Sequence, residues 1–394
     1  MSDNVPVEVQ VQFMKRLPVK SLLQFRSVSK RWKSLIDNRE FIGGYSVRET
    51  QPLRQLVLYT DALRREETYV SLVDDETFVK QKTAPTISVL AKLLMMSFMS
   101  RVVGSSHGLL CLYGNYSSYH TGCRSEGTMV VLWNPSIRKS IGILVLDICG
   151  GLGTLLGFGV CPITSDPTVV MISVGVAQMM KNHFVSFDMT THEFRMVDVP
   201  DNLACRYSSG DLAIFKVSEA LAVLKYNRMG TGGWHVWIMD HGVSNSWTKL
   251  VSIDNVPGER IRSLLGFTKR SQPIFERDDV RAGRKSSMFV YEPCSQDIND
   301  IRIYGKQDSF FVGCYMESLL LLDQSDGSVY LENSLGPMDC QLINTVETIT
   351  MKSMVVIPSW NTRSLYLVVK AAEKASLASF NGHGTVSTIN LDHT

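Results

Sequence analysis

A small helical module in front of a long all-β body built from repeated sheets is the fold class this sequence predicts. Three observations predict it. Residues 17–36 carry apolar side chains at helical spacing between helix-breaking signals. From about Leu56 onward, short apolar runs alternate with polar turns, which is the mark of strands. Four of those runs end in a similar turn at nearly constant spacing.

The helices come first. Pro6 to Met14 predicts a helix, with Val9 and Phe13 at i, i+4 on one face. Asn4 is the expected N-cap, and Pro6 sits near the first turn, where its missing N–H costs nothing. Leu17-Pro18 ends that helix and starts a second, in which Leu22, Leu23 and Arg26 recur at helical spacing. Ser29 is placed to cap a third helix, Lys30 to Ile36, that carries Trp32, Leu35 and Ile36 inward. Helices this short are marginal alone, so burial against something else must order them.

The β body follows. Leu56-Val57-Leu58-Tyr59, Gly108 to Leu112, Met129 to Trp133 and Ser364 to Val369 are four to six residues long and bounded by turn formers. Asn134, Asp188, Asp240 and Glu292 each close an apolar run before a turn and a second run. Their spacing of roughly 50 residues is that of a four-stranded, kelch-like propeller blade, a unit that buries its faces only by stacking on neighbours. Leu321-Leu322-Asp323 reads as an early fifth copy from a shortened blade. Thr86 to Val102 fits a helix, or a loop and strand. Met354 to Val369 predicts a hairpin with its turn at Ser359-Trp360-Asn361. Ile141 to Val160 is long enough to span a bilayer and has one charge, Asp147, but its six glycines favour strand, turn and strand.

Composition narrows the function. A hydrophobic share of 44% supplies a core, and a formal charge of +2 implies no global field for nucleic acid or membrane. Eight cysteines without a CxxC pair, behind an N-terminus with no visible export signal, read as reduced thiols in the cytoplasm or nucleus. Seven basic residues and no acid lie between Val9 and Leu35. They fit a phosphate-binding helix pair, a solvated basic face or a dock for an acidic protein. Gly151 to Gly157 is one residue too long for a dinucleotide loop, and Gly157-Phe158-Gly159 cannot continue a helix. The histidines lack metal spacing, and His107 and His235 read as packed or turn residues. No catalytic residue, metal ligand or cofactor is expected. Two polar stretches, the tyrosine-bearing Tyr113 to Thr128 and the charged Lys269 to Lys285, read as loops, each either a place for target contact or simply solvated.

The segment from Val5-Pro6 through Phe13, Leu17-Pro18, Leu22-Leu23, Val28 and Trp32 closely resembles an F-box of the plant kind. Gly104 to Leu112, Leu132-Trp133-Asn134-Pro135-Ser136-Ile137-Arg138-Lys139, Gly157-Phe158-Gly159, Trp237 to Val243, Ser246 to Leu250 and Tyr315 to Leu319 resemble the plant F-box-associated, or F-box/kelch, domain in family order. The resemblance implies a noncatalytic subunit of an SCF ubiquitin ligase. Its F-box, residues 3–44, would dock a Skp-type adaptor and through it a cullin. Pro6, Val9, Phe13, Leu17, Pro18, Leu22, Leu23, Val28 and Trp32 would supply the adaptor-facing and internal apolar surface. A kelch-like β-propeller at 55–335 would hold a protein target, and 336–394 would form an extension with a closing hairpin. The chain departs from the family in three places. Val5-Pro6 stands for the usual Leu-Pro, the strand pair expected between Val174 and Phe184 is missing, and residues 324–394 match no family segment. The alternative is a β-propeller binding protein whose degenerate F-box engages no ligase.

Overall fold

The computed structural model describes residues 5–45, 54–64, 67–73, 80–81, 101–120, 123–145, 153–161, 165, 167–174, 181–188, 194–197, 203, 212–217, 220–227, 233–239, 246–254, 256, 260–278, 285–331, 357–358, 364–371 and 386–390. Four helices open the chain: α1 (Val7–Met14), α2 (Val19–Val28), α3 (Lys30–Ile36) and α4 (Arg39–Tyr45). Three were expected. The fourth follows Asn38, whose Oδ1 accepts from the Glu40 N–H at 2.7 Å and starts a new turn. Pro6, not Asn4, flanks α1 at its N-terminus, and it offers no side-chain cap. Asn4 itself lies outside the described residues. Ser29 caps α3 as expected, accepting from the Trp32 N–H at 3.4 Å.

Strands then follow in chain order: β1 (Arg54–Thr60), β2 (Glu67–Val73), β3 (Lys80–Gln81), β4 (Arg101–Ser106), β5 (Leu109–His120), β6 (Cys123–Asn134), β7 (Lys139–Val145), β8 (Gly153–Val160) and β9 (Pro167–Val174). Next come β10 (Lys181–Asp188), β11 (Phe194–Val197), β12 (Leu212–Val217), β13 (Ala220–Asn227), β14 (Gly233–Met239), β15 (Trp247–Asp254), β16 (Ile261–Phe267), β17 (Pro273–Asp278), β18 (Lys285–Glu292) and β19 (Asp297–Lys306). The last are β20 (Phe311–Tyr315), β21 (Ser328–Leu331), β22 (Ile357–Pro358), β23 (Ser364–Ala371) and β24 (Val386–Asn390). They form six sheets, ordered β20-β1-β2-β3, β21-β7-β6-β5-β4, β24-β9-β8, β11-β10-β23-β22, β12-β13-β14-β15 and β16-β17-β18-β19. The fold is thus an N-terminal helical module followed by a β-rich region of several sheets.

Several expectations change. Tyr113 to Thr128 is no loop: β5 and β6 continue through it as a hairpin, from Tyr113 opposite Val130 to His120 opposite Cys123. The charged stretch 269–285 is crossed by strand β17; Asp279, Arg281 and Arg284 lie outside the described residues. Gly153–Val160 is a strand, which removes the dinucleotide-loop reading; β7 and β8 are the two strands expected within 141–160, each in a sheet of its own. Thr86 to Val102 meets the structure only at β4; its earlier part lies outside the described residues. Leu321-Leu322-Asp323 falls in a turn rather than a strand, because this segment spends its hydrogen bonds on the β6–β7 sheet instead of a ladder of its own.

The strands expected and missing after Val174 come from far along the chain. β23 pairs antiparallel with β10, Phe184 opposite Val368, and β22 pairs with β23 as the predicted hairpin. Its turn at Ser359-Trp360-Asn361 lies outside the described residues. β24 pairs with β9 in the same way, Ile389 opposite Val169. Residues 357–390 therefore supply strands that the local sequence lacks, and each covers an edge that would otherwise be raw.

The repeated anchors have a physical cause. In the β6–β7 turn, Asn134 Oδ1 accepts from the Ser136 N–H at 2.9 Å, and Arg138 takes a positive φ of 56° before the next strand. In the β18–β19 turn, Glu292 Oε1 accepts from the Cys294 N–H at 3.3 Å, and Gln296 takes a φ of 61°. An acceptor side chain reaching two residues ahead is the local device that turns the chain, which is why Asn and Glu mark both positions. Asp188 ends β10, and Asp240 lies outside the described residues.

The chain falls into two compact units. One comprises Met1–Arg54, Ile87–Asp147 and Cys314–Ser334; the other comprises Gln55–Thr86, Ile148–Gly313 and Leu335–Thr394. In the first, Leu109 to Leu112, Met129 to Trp133, Ile141 and Ile143 build the sheet core, closed by Leu319 to Leu322. In the second, Val57, Tyr59, Val70, Leu72, Ile274, Met288, Val290 and Ile303 form one cluster, and Leu224, Val236, Phe275, Phe289 and Tyr291 belong to another. No helix among the described residues is long and apolar enough to cross a membrane.

Candidate docking site

The helices of the first unit invert the usual distribution of polarity on α1. Gln10 and Met14, at i, i+4, are buried, while Val9 is 55% and Phe13 59% exposed. Gln10 tolerates burial because its Nε2 donates to Val5 O at 2.7 Å. Pro6, Val9 and Phe13 recur at i, i+3, i+7, so they share one outward face. Val5 and Val7 are also exposed, and Val28, at the end of α2, is 76% exposed. An apolar face this rich on a short helical module marks a surface meant to be covered.

The inside of the module is ordinary and well made. Val19, Leu22, Ile36, Phe41, Ile42 and Tyr45 are buried, and the Tyr45 hydroxyl donates to Leu17 O at 2.8 Å, pinning α4 to the α1–α2 turn. Phe25 and Trp32 pack with ring centroids 5.0 Å apart. Arg26 donates to both Asp37 oxygens, at 2.5 and 3.0 Å, and Lys33 donates to Asp37 at 2.7 Å. Burial alone would raise the Asp37 carboxyl; the hydrogen bonds and charges of Arg26 and Lys33 outweigh it and hold the group below its usual range.

The nine residues singled out from sequence therefore divide by direction. Pro6, Val9, Phe13, Pro18 and Val28 face solvent. Leu17, Leu23 and Trp32 are half-buried, and Leu22 is wholly internal. The first five offer contact area; Leu22 holds the helices that display it.

One functional contact lies outside any local signal. Pro18 flanks α2 without a side-chain cap, and the Val19 N–H donates instead to Glu317 Oε2 at 2.9 Å. A carboxylate at a helix N-terminus satisfies an orphan donor and complements the helix dipole. Glu317 belongs to a strap, residues 315–327, that is fixed to the β4–β7 sheet. Fully buried Asn134 donates through Nδ2 to Ser318 O and Leu320 O at 3.0 and 2.7 Å. Lys139 Nζ donates to Leu322 O and Gln324 O at 2.5 and 2.6 Å, and the Ser140 N–H donates to Asp326 Oδ1 at 3.0 Å.

The β4–β5 turn leaves room for the strap. His107 and Gly108 both have positive φ, 47° and 80°, the conformation of a two-residue hairpin turn. A Cβ on Gly108 would lie 2.5 Å from Met316 O and from Ser318 Cβ, so only glycine fits. His107 is buried beside Ser106 Oγ, and burial lowers its pKa to about 4. His235, by contrast, meets Ser252 Oγ at 3.2 Å across β14–β15.

Four short helices with an internal core, an outward apolar face and a sheet-anchored strap define a small helical module that displays apolar surface. Residues 3–42 match the F-box domain family, so the chain carries an F-box and is similar to plant F-box proteins. F-box protein At2g21930 of Arabidopsis thaliana is 27% identical over 230 residues, 57% of this chain and 55% of that protein. F-box protein At1g30790 of the same plant is 45% identical over 51 residues, 13% of each chain. At3g10240, a candidate Arabidopsis thaliana F-box protein, is 22% identical over 378 residues, 79% of this chain and 88% of its own. The chain thus spans about half the length of the first of these relatives and a smaller part of the second. Among solved structures, a candidate 6-phosphogluconolactonase from Bacteroides uniformis aligns with 67% of this chain and all of its own at 10% identity, with a TM-score of 0.33, too low to argue from.

Proposed function

We propose that this protein is the noncatalytic substrate-recognition subunit of an SCF ubiquitin ligase, acting in the cytoplasm or nucleus. Its F-box docks a Skp-type adaptor, and through it a cullin, while the β region binds the protein to be ubiquitinated. The observation that carries this reading is the exposed apolar face of Pro6, Val9, Phe13 and Val28 on a module that matches an F-box. Residues 3–44 serve as the dock, 55–335 as a kelch-like, F-box-associated platform, and 336–394 lend the strands that complete two of its sheets. The subunit raises the effective concentration of target lysines near a charged conjugating enzyme and makes no bond itself. Purified full-length protein should retain a Skp-type adaptor in a pull-down. Failure of the wild-type chain to do so, with its fold intact, would overturn the reading in favour of a binding protein with a degenerate F-box.

A further inference from the structure

We propose that the solvent face of β19, with the 61–64 turn beside it, is the docking surface for a short acidic peptide segment that carries one large apolar side chain. The proposal rests on the target-binding role given above to the β region. All of its residues lie in the second compact unit.

Burial alternates along the end of β19, so that Ile301, Ile303 and Gly305 face inward while Arg302, Tyr304 and Lys306 face solvent. Arg302 sits in the left-handed region at φ 58°, next to an irregularity in the β18–β19 register, and such bulges re-aim side chains. Tyr304 is 53% exposed. Asp61 bridges to Gly305 and sets the 61–64 turn alongside, where its Oδ1 accepts from the Leu63 and Arg64 N–H groups at 2.8 Å. Leu63, 82% exposed, is thereby held next to the stripe.

The charges point to the partner. Lys285 stands directly opposite Lys306 in the ladder, and like charges so placed repel. Asp61 lies close enough to Lys285 to offset part of this repulsion, and the carboxylates nearer Arg302 and Lys306 are already engaged. Asp300 pairs with Arg277, and Asp278 and Asp308 both pair with Arg262. Among the described residues no carboxylate forms an ion pair with the side chain of Arg302 or Lys306. A partner carboxylate supplies the missing countercharge, and Tyr304 and Leu63 supply an apolar seat between the cations.

Size selects a peptide over a polynucleotide. Arg302 to Lys306 spans about 13 Å at the rise of an extended strand, and Asp297 and Asp300 at one end and Asp308 at the other bound it with negative charge. A long polyphosphate would run into those carboxylates; a few acidic residues around one aromatic fit between them.

The test uses fluorescence anisotropy on the full chain with a labelled pentapeptide, two glutamates on either side of one phenylalanine. Saturable binding is expected, weakening with salt. About a tenfold loss is expected in Arg302→Gln with Lys306→Gln, and a smaller loss in Tyr304→Ser or with serine in place of the peptide's phenylalanine. Thermal midpoint and adaptor capture should not change in these variants, so loss of peptide binding with adaptor capture intact isolates this surface. Capture lost in wild type with peptide binding kept would instead overturn the ligase role alone. Equal binding by the double variant, equal binding of the lysine counterpart of the peptide, or tighter binding of a nine-nucleotide single-stranded RNA would each overturn the proposal.

Discussion

The F-box helices and the β16–β19 sheet break the rule of apolar inside and polar outside in opposite ways. The helices turn Val9, Phe13 and Val28 out to water while burying Gln10. The sheet buries Glu276 almost completely and gives it partners: Ser263 Oγ donates to Oε2 at 2.9 Å and the Asp308 N–H to Oε1 at 3.0 Å. Around it Arg262 joins Asp278 to Asp308, and Arg277 pairs with Asp300 over the Phe289 ring. The sheet's exception is settled within the chain, by hydrogen bonds that fix its turns. That of the helices is left open to solvent, which is the face the proposed adaptor would cover.

Substitutions that separate display from support sharpen this contrast. Leu22→Ala removes an internal side chain and should cost about 2–5 kcal/mol of stability, seen as a large drop in denaturant midpoint with adaptor binding lost as a consequence. Phe13→Ala should do the reverse. Adaptor affinity falls by about 2 kcal/mol in calorimetry, while stability changes by less than about 0.5 kcal/mol. An equal loss of stability in both variants would erase the distinction between the two faces.

In the sheet, Glu276→Ala should cost about 1–2 kcal/mol, because the donors at Ser263 and Asp308 lose their acceptor. Burial raises the Glu276 carboxyl above its ordinary value of 4.5, so the folded state holds this proton longer than the unfolded one. Its contribution is therefore fully present below 4.5 and is lost as pH rises through the folded value. Glu276→Gln keeps an acceptor and should flatten that part of the stability profile, measured by denaturation from pH 4 upward. The smallest effect belongs to Glu317→Ala, which removes the acceptor at the start of α2 and should cost about 1 kcal/mol. Hydrogen exchange of the α2 amides should rise there before anything elsewhere changes.

Much of the helical module is legible in sequence because its signals are local. Ser29 caps where a serine before an apolar-periodic run should, and Pro18 starts α2 as its fixed φ allows. The Val9–Phe13 spacing reveals a shared face, yet periodicity cannot tell an inward stripe from an outward one, and Leu22 and Val28 look alike until burial separates them. Glu317 could not be found, since a cap supplied from 298 residues away leaves no trace at Pro18. In the β region the anchors at Asn134 and Glu292 are visible because each is a side chain bonding two residues ahead. The charged stretch misled because Glu276 and Arg277 read as solvent-facing, when partners elsewhere in the sheet let a polar strand pack. The strands after Val174 look missing because their neighbours lie near the far end of the chain.

That last arrangement sets the order in which the molecule can be completed. β10 waits for β23, synthesised about 180 residues later, which at ribosomal speed is roughly 10 to 40 s. β9 waits longer still, for β24. Through that interval β9 and β10 each keep one open edge in a nascent chain whose described helices, all N-terminal to residue 46, have already emerged. A message truncated before codon 364 would encode every outward apolar residue of the F-box and leave β10 paired on one side only, with β11. Such a product would carry the whole F-box with an unfinished β region, so completion of the sheets depends on the far end of the reading frame.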